Sequence, residues 1–301
     1  MSFTLVTTNA VLKDLCASLR KEKIIAVDME MEANFHHYGV HLSMVQLSTY
    51  TKTWLVDMLE ITNPKPLVDF FLDEKVIKVF HDVSFDFRIL QEVLNITPKP
   101  VADTKVAAEL LGKTSLSLAK LLEEYFHVKK DTRWQKADWL KRPLPKEMLA
   151  YAARDTAFLL QLHDKLVKDL EKLHRKAWFV DECRQLPLQE YRVPVQTVHD
   201  IKGSKILSDI ERGRLKALFD VRNSLAAKVD KPVFFVIPNK LLLELAKSPP
   251  RNWLRVRGVH PIVKKNANRL VFALSKSKPL MKVSSSHAPR LTPAQEILYD
   301  P

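Results

Sequence analysis

Two carboxylates separated by one residue, Asp28 and Glu30 in AVDMEM, are the first groups in this sequence whose spacing suggests chemistry. In an extended strand, residues i and i+2 project from one face, so both acids leave the sheet together while Met29 points the other way. Such neighbours repel each other, and a divalent cation that prefers carboxylate oxygen, magnesium or manganese, relieves the repulsion. For this pair alone, solvated acids at a strand end are the alternative. A third acid, Asp86, lies in KVFHDVSFDFRIL, where a buried strand runs through His81 into a helix that turns Asp86 toward the strand ends. A fourth, Asp155, stands four residues after Tyr151 in LAYAARDTAFLL, so phenol and carboxylate share one helical face.

A sheet and several helices are needed to bring these groups together. Residues 9–20 have helical spacing, and KIIAVDME then carries four apolar residues in a row, as expected for a strand buried on both faces. Strands are expected at 42–49 and 53–58, joined as a hairpin through residues 50–52, and at 76–80. A helix from 84 to 94 follows, then Pro98, Pro100 and a short VAD segment, after which the chain is expected to be almost wholly helical through residue 185. Strands first and helices after imply a mixed α/β sheet with flanking helices. A linker is expected at 186–206, where prolines interrupt the periodicity. Helices are expected at 207–229, 238–247, 251–256 and 261–276, with Leu218, Val221, Leu225, Phe235, Leu241, Leu245 and Leu254 as the core of a small all-α bundle.

The charge is divided unevenly along the chain. Of 48 basic and 35 acidic residues, the first 200 positions hold 28 of each, so the whole net charge of +13 lies beyond residue 200. A basic module attached to a neutral one points to a polyanion as partner, nucleic acid before membrane. No apolar run approaches the ~20 residues that cross a bilayer, and the first residues lack the pattern of a signal peptide, so a soluble, cytoplasmic protein is expected. Cys16 and Cys183 fit no zinc or disulfide spacing and are read as reduced packing residues.

Taken in order, Asp28-x-Glu30, His81 with Asp86, and Tyr151-xxx-Asp155 resemble the DEDDy exonuclease pattern of the RNase D family. MVQLS at 44–48, VADTKVAAELLG at 101–112, SLAKLLEEYF at 117–126 and DWLKRPLPKEMLAYAARD at 138–155 extend the likeness over about residues 2–170. Met29 departs from the threonine of many relatives, and Asp82 replaces a residue that is commonly small; a solvated helix start is the expectation for Asp82. Residues 207–280 resemble the HRDC domain.

The resemblance implies an RNase-H-like (DnaQ-like) fold and a 3′–5′ exonuclease domain at 1–172. A helical extension and linker at 173–206, an HRDC domain at 207–280 and a mobile tail at 281–301 would follow. It also implies two divalent ions, Mg²⁺ or Mn²⁺, held by Asp28, Glu30, Asp86 and Asp155, which would activate water on one side of a phosphate and stabilise the leaving oxygen on the other. Tyr151 would orient the attacking water. The expected partner is RNA with a free 3′ end, tRNA precursors among them. Gln46 is a candidate contact to the terminal nucleotide, with a structural hydrogen bond as the alternative. Arg255, Arg257, Lys264, Lys265 and Arg269 surround the turn at Gly258, where backbone N–H groups and the next helix start could hold a phosphate. His81 is expected to pack at its turn. His36, His37 and His41 resemble a metal cluster, but surface histidines near RNA are the expectation. A DNA-directed exonuclease of the same superfamily and a silent RNA-binding scaffold are the rival readings.

Overall fold

Six strands form the sheet that carries the acids: β1 (Thr4–Val6), β2 (Ile24–Ala33), β3 (Val40–Ser48), β4 (Thr53–Asp57), β5 (Ile77–Phe80) and β6 (Val101–Asp103). They lie in the order β1-β4-β3-β2-β5-β6. β2 pairs antiparallel with β3, and β3 with β4, while β1–β4, β2–β5 and β5–β6 are parallel. The computed structural model describes residues 2–129, 133–193 and 196–281, so the tail expected to be mobile falls, from residue 282, outside the described residues. The chain divides into two units near residue 194.

Alternation along β2 sorts its side chains to two faces. Val27 and Met29 enter one core, with Leu12 and Leu15 of α1 (Asn9–Leu19), Phe70 and Phe71 of α2 (Lys65–Phe71) and Phe87 of α3 (Ser84–Leu94). Ala26 faces the other way, where it meets the helices α4 (Thr104–Leu110), α5 (Leu118–Phe126), α7 (Leu159–Lys172) and α8 (Lys176–Gln185) through residues such as Ala107, Leu121, Leu166 and Phe179. On that second face, Met44 and Leu55 pack against α6 (Lys146–Ala157) through Met148, Tyr151 and Ala152. Each fully buried Leu or Phe contributes about 1.5–3 kcal/mol. Both faces of the sheet are therefore largely apolar, with the buried Lys78 on the first and Asp28, Glu30 and Gln46 among the polar groups on the second.

Three expectations differ from the structure here. The edge strand β1 and helix α2 were not foreseen, because three residues and seven are too short to establish a period. Residues 127–145, expected to be helical, contain no helix among those described. Pro143 and Pro145 lack the N–H that a helix needs. Arg142 fixes the segment instead: Nε and Nη2 reach the Asp57 carboxylate at 2.7 and 2.6 Å, and Nη1 donates to the Trp139 carbonyl at 2.7 Å. Cys16 and Cys183 are free and buried, and burial pushes both thiols up to about 12.

The second unit is helical, with α9 (Asp209–Val229), α10 (Val233–Val236), α11 (Asn239–Lys247), α12 (Pro261–Lys265) and α13 (Ala267–Ser275). A capping box between Ser208 and Glu211 starts α9. The helix expected at 251–256 is a single 3₁₀ turn, Trp253–Arg255. The one expected at 261–276 breaks at Asn266, whose side chain donates back to the Ile262 carbonyl at 2.8 Å. Two residues assigned to the core are on the surface, Phe235 at 59% exposure and Leu254 at 62%. Their neighbours Val236 and Trp253 are buried instead, because the short turns at these points shift the inward face by one residue. Within the bundle, the fully buried Arg222 donates to the Ile237 carbonyl at 3.2 Å and to Asn239 Oδ1 at 2.6 Å, and lies 5.0 Å from the Phe219 ring centre. It ties α9 to the turn before α11, and burial pulls its pKa down to about 10. No helix among the described residues is long and apolar enough to cross a membrane.

Candidate active site

Asp28 and Glu30 stand opposite Gln46 and Met44 across the β2–β3 ladder. A register shift follows immediately, between Glu30 and Met31, so the ladder is offset just past the acids before pairing resumes to Ala33. Residues directly opposite in an antiparallel pair share a face, which places the Gln46 amide beside Asp28. Gln46 is fully buried, and neither its amide oxygen nor its nitrogen has a hydrogen-bond partner.

Asp86 comes from the first turn of α3, one short turn beyond β5. That turn is built by Asp103, which sequence reasoning missed. Its carboxylate accepts the backbone N–H groups of Asp82 and Val83, each at 2.9 Å, and of Lys105 at 2.8 Å. Asp82, in the left-handed region at φ 63°, is exposed and pairs with Lys105 at 3.0 Å, so it is a turn residue with a surface partner. His81 packs as expected, with Nδ1 2.9 Å from Thr104 Oγ1. The signal for Asp103 was present in VADT: an acid just before a helix start is an N-cap, and Asp103 caps α4 as well.

Tyr151 and Asp155 project from α6 toward the same place. Tyr151 is raised well above an ordinary phenol by burial, and then by the negative charges of Asp155, Glu30 and Asp28; it is also hydrogen-bonded to Asp155. Asp86 is raised well above an ordinary carboxylate, first by burial and then by Asp28, Asp103 and Asp82. These influences connect all five predicted residues, Asp28, Glu30, Asp86, Tyr151 and Asp155. Glu30, Asp86 and Asp155 are 8%, 7% and 3% exposed, so the carboxylates meet in a largely dry site. Such crowding is costly without a cation, and an all-oxygen donor set suits a hard divalent ion. The residues present thus fit the divalent metals that this pattern implies.

A cleft of about 440 Å³ opens on the acids, lined by Asp28, Asp155, His81, Lys105 and Gln135. A smaller one of about 180 Å³ lies on the Glu30 side, with Phe35, His36, Phe85, Gln135 and Lys136. Phe35 and Phe85 are 58% and 46% exposed. Neither was picked out from the sequence, although an aromatic ring in the polar stretch NFHHYG was a usable signal. The three histidines do not converge: His36 Nδ1 is 3.1 Å from Glu32, His37 Nε2 is 3.1 Å from Asp138, and His41 Nε2 is 2.8 Å from the Tyr38 carbonyl.

In the second unit, Arg255, Arg257, Lys265 and Arg269 are exposed and Lys264 is half-buried. Gly258 takes a left-handed φ of 74°, as the turn requires. The helix start after it does not offer the expected phosphate cradle. Pro261 has no N–H, Ile262 N–H already donates to His260 Nδ1 at 3.2 Å, and Val263 N–H donates to the His260 carbonyl at 2.9 Å. An anion held here would have to use the turn or side chains and not the helix start.

Residues 3–171 match the family model of a 3′-5′ exonuclease, and residues 211–272 match the HRDC domain. The chain is 30% identical to ribonuclease D of Haemophilus influenzae over 255 residues, which is 83% of this chain and 64% of that protein. It is also 30% identical to ribonuclease D of Sphingobium indicum, over 92% of this chain and 74% of the relative. Among solved structures it is similar to Escherichia coli RNase D, described as an exoribonuclease involved in structured RNA processing. That match has a TM-score of 0.76 and 27% identity, and covers 94% of this chain and 79% of that one. Fold, order of domains and identity agree, and the chain belongs to the ribonuclease D family of 3′-5′ exoribonucleases.

Proposed function

We propose that this chain hydrolyses RNA from a free 3′-hydroxyl and releases nucleoside 5′-monophosphates, trimming the 3′ ends of tRNA and other stable RNAs in the cytoplasm. The observation that carries the reading is the closeness of Asp155, Glu30 and Asp28 to Tyr151, and of Asp28 to Asp86, in a chain of this family. Asp28, Glu30, Asp86 and Asp155 would hold two divalent ions, Mg²⁺ or Mn²⁺. Once bound, such ions supply water activation and neutralise charge at the leaving oxygen.

The protein's own groups do the rest. Tyr151, hydrogen-bonded to Asp155 and with its pKa raised by burial and by Asp155, Glu30 and Asp28, is assigned the orienting of the attacking water. Phe35 and Phe85, exposed at the lip beside Glu30, offer stacking surfaces for the last bases, a contact that tolerates any sequence. Gln46 lies at the level of Asp28 and is retained as a candidate contact. The nuclease domain is assigned to 1–172, and the HRDC domain at 207–280 is assigned the capture of RNA through Arg255, Arg257, Lys264, Lys265 and Arg269.

Matched RNA and DNA oligomers and a tRNA with a 3′ trailer, each with and without chelator, test this reading. RNA should be shortened only when a divalent ion is present. DNA degraded faster than RNA would favour the DNA-directed enzyme, and no cleavage at all would leave an RNA-binding scaffold.

The charge division sets a second expectation. Each phosphate neutralised on a single strand contributes a salt slope of about −0.7, so alanine at Arg255, Arg257, Lys265 and Arg269 together should flatten log K against log salt by about 2–3 units. Turnover at saturating RNA should hardly change. Equal slopes for variant and parent would mean that these cations serve protein docking.

A further inference from the structure

Beside the catalytic carboxylates lies a second group of donor atoms of different chemistry. One ligand atom each from Glu32, His36 and Asp138 falls within 4.8 Å of the other two. We propose that these three residues bind a transition-metal ion of the zinc class, separate from the Asp28–Glu30–Asp86–Asp155 set, and that this ion clamps the β2–β3 loop to the segment preceding α6.

Glu32 is 1% exposed, just past the register shift in β2. One of its carboxylate oxygens accepts the loop N–H groups of Phe35 and His36. This fixes the carboxylate and leaves the other oxygen facing His36 Nδ1 at 3.1 Å. Asp138 approaches from a different part of the chain, and His37 Nε2 meets its Oδ1 at 3.1 Å. Each acid has its own imidazole, and Asp138 also meets Lys141 Nζ at 3.7 Å, but none of these contacts joins the two acids to each other. A cation between the two acids can serve both.

The donors also determine which cation. One imidazole nitrogen with two carboxylate oxygens is a mixed set that favours Zn²⁺ and its neighbours over Mg²⁺, which takes oxygen. At bond lengths of about 2.0–2.2 Å, tetrahedral ligands stand roughly 3.3–3.6 Å apart; Glu32 and His36 already stand 3.1 Å apart, so only the wider separations within the 4.8 Å group need to close, by about 1 Å. His36 has the freedom to do so, because its side chain is 38% exposed. Three protein ligands leave a fourth position to water, and His37 orients Asp138 from outside, as carboxylate–histidine pairs do around metals.

The position gives the ion a consequence. Phe35 and His36 lie in the loop and Gln135 and Lys136 in the facing segment, and these four line one small cleft with Glu30. An ion held by His36 and Asp138 would join the two walls of that cleft and hold Phe35 in place.

Metal uptake by the full-length protein tests the proposal. In an Asp28→Asn/Asp155→Asn chain stripped of metal, the four-carboxylate set is disabled and uptake reports the second site. That chain should bind one equivalent of Zn²⁺, and Co²⁺ should give visible absorption of a nitrogen-ligated, low-coordinate ion. Both signals should vanish when His36→Ala is added. Zn²⁺ should also slow backbone hydrogen exchange in residues 33–39 and 134–140 of the double variant but not of the triple. Asp138→Asn serves as an independent second variant, since its amide oxygen can still accept the Leu140 N–H that Asp138 takes at 3.3 Å. If the double variant bound no Zn²⁺, or bound it equally well with His36→Ala and with Asp138→Asn, the site would not exist.

Discussion

Asp155→Asn is expected to reduce RNA turnover by roughly a thousandfold or more, since the several kcal/mol that metal coordination supplies in the transition state convert at about 1.4 kcal/mol per tenfold. The expectation follows from where Asp155 sits. It is 3% exposed on α6, one helical turn from Tyr151, and its charge acts on that phenol more strongly than those of Glu30 and Asp28. Asparagine keeps the shape and removes the charge. Because the acids repel one another, that loss should leave Tm unchanged or higher in chelator, which separates a failed site from a failed fold. RNA affinity in chelator should match the parent, since the capture surface assigned above lies in the second unit. Single-turnover assays alongside thermal unfolding check this, and wild-type turnover by the variant would remove Asp155 from the site.

Tyr151→Phe should lower turnover by about ten- to a thousandfold, the range expected for losing an oriented hydrogen bond to the attacking water. Burial and the charges of Asp155, Glu30 and Asp28 raise the pKa of the phenol, which favours a hydrogen-bonding group that positions the water over a base. The pH–rate profile should therefore keep its shape in the variant while its height falls. A profile that lost an ionisation would make Tyr151 the base. An unchanged rate would show that the metals alone place the water.

Much of the candidate site was legible because periodicity pairs its residues locally, while the meeting of the pairs was implied by the family resemblance. Asp28 and Glu30 share a face by the two-residue repeat of a strand, and Tyr151 and Asp155 by the turn of a helix; Met29 points away, into the opposite core, as that repeat requires. Asp103 was less legible, since its carboxylate spans from β6 to the turn that presents Asp86, a contact between segments twenty residues apart. Gln46 is expected from the sequence on the strand antiparallel to that of Asp28, but its position opposite Asp28 and its lack of any hydrogen-bond partner needed coordinates.

The misreadings have a common cause. Residues 127–145 fall in the stretch expected to be helical, whereas Arg142, reaching Asp57 and the Trp139 carbonyl, holds that segment by side-chain bonds that no local period reveals. Phe235 and Leu254 are expected in the core because they are apolar, yet in turns of three or four residues one added or missing position exchanges inside for outside. The helix start after Gly258 offers no free N–H, because Pro261 has none and His260 takes those of Ile262 and Val263.

The central claim, stepwise hydrolysis from a 3′ end, is tested most directly by comparing one RNA sequence in linear, 5′-labelled form and as a covalently closed circle. With Mg²⁺ or Mn²⁺ the linear RNA should shorten progressively from its 3′ end, with nucleoside 5′-monophosphates as the released product, while the circle stays intact. Cleavage of the circle, or release of products from the 5′ end, would contradict the account.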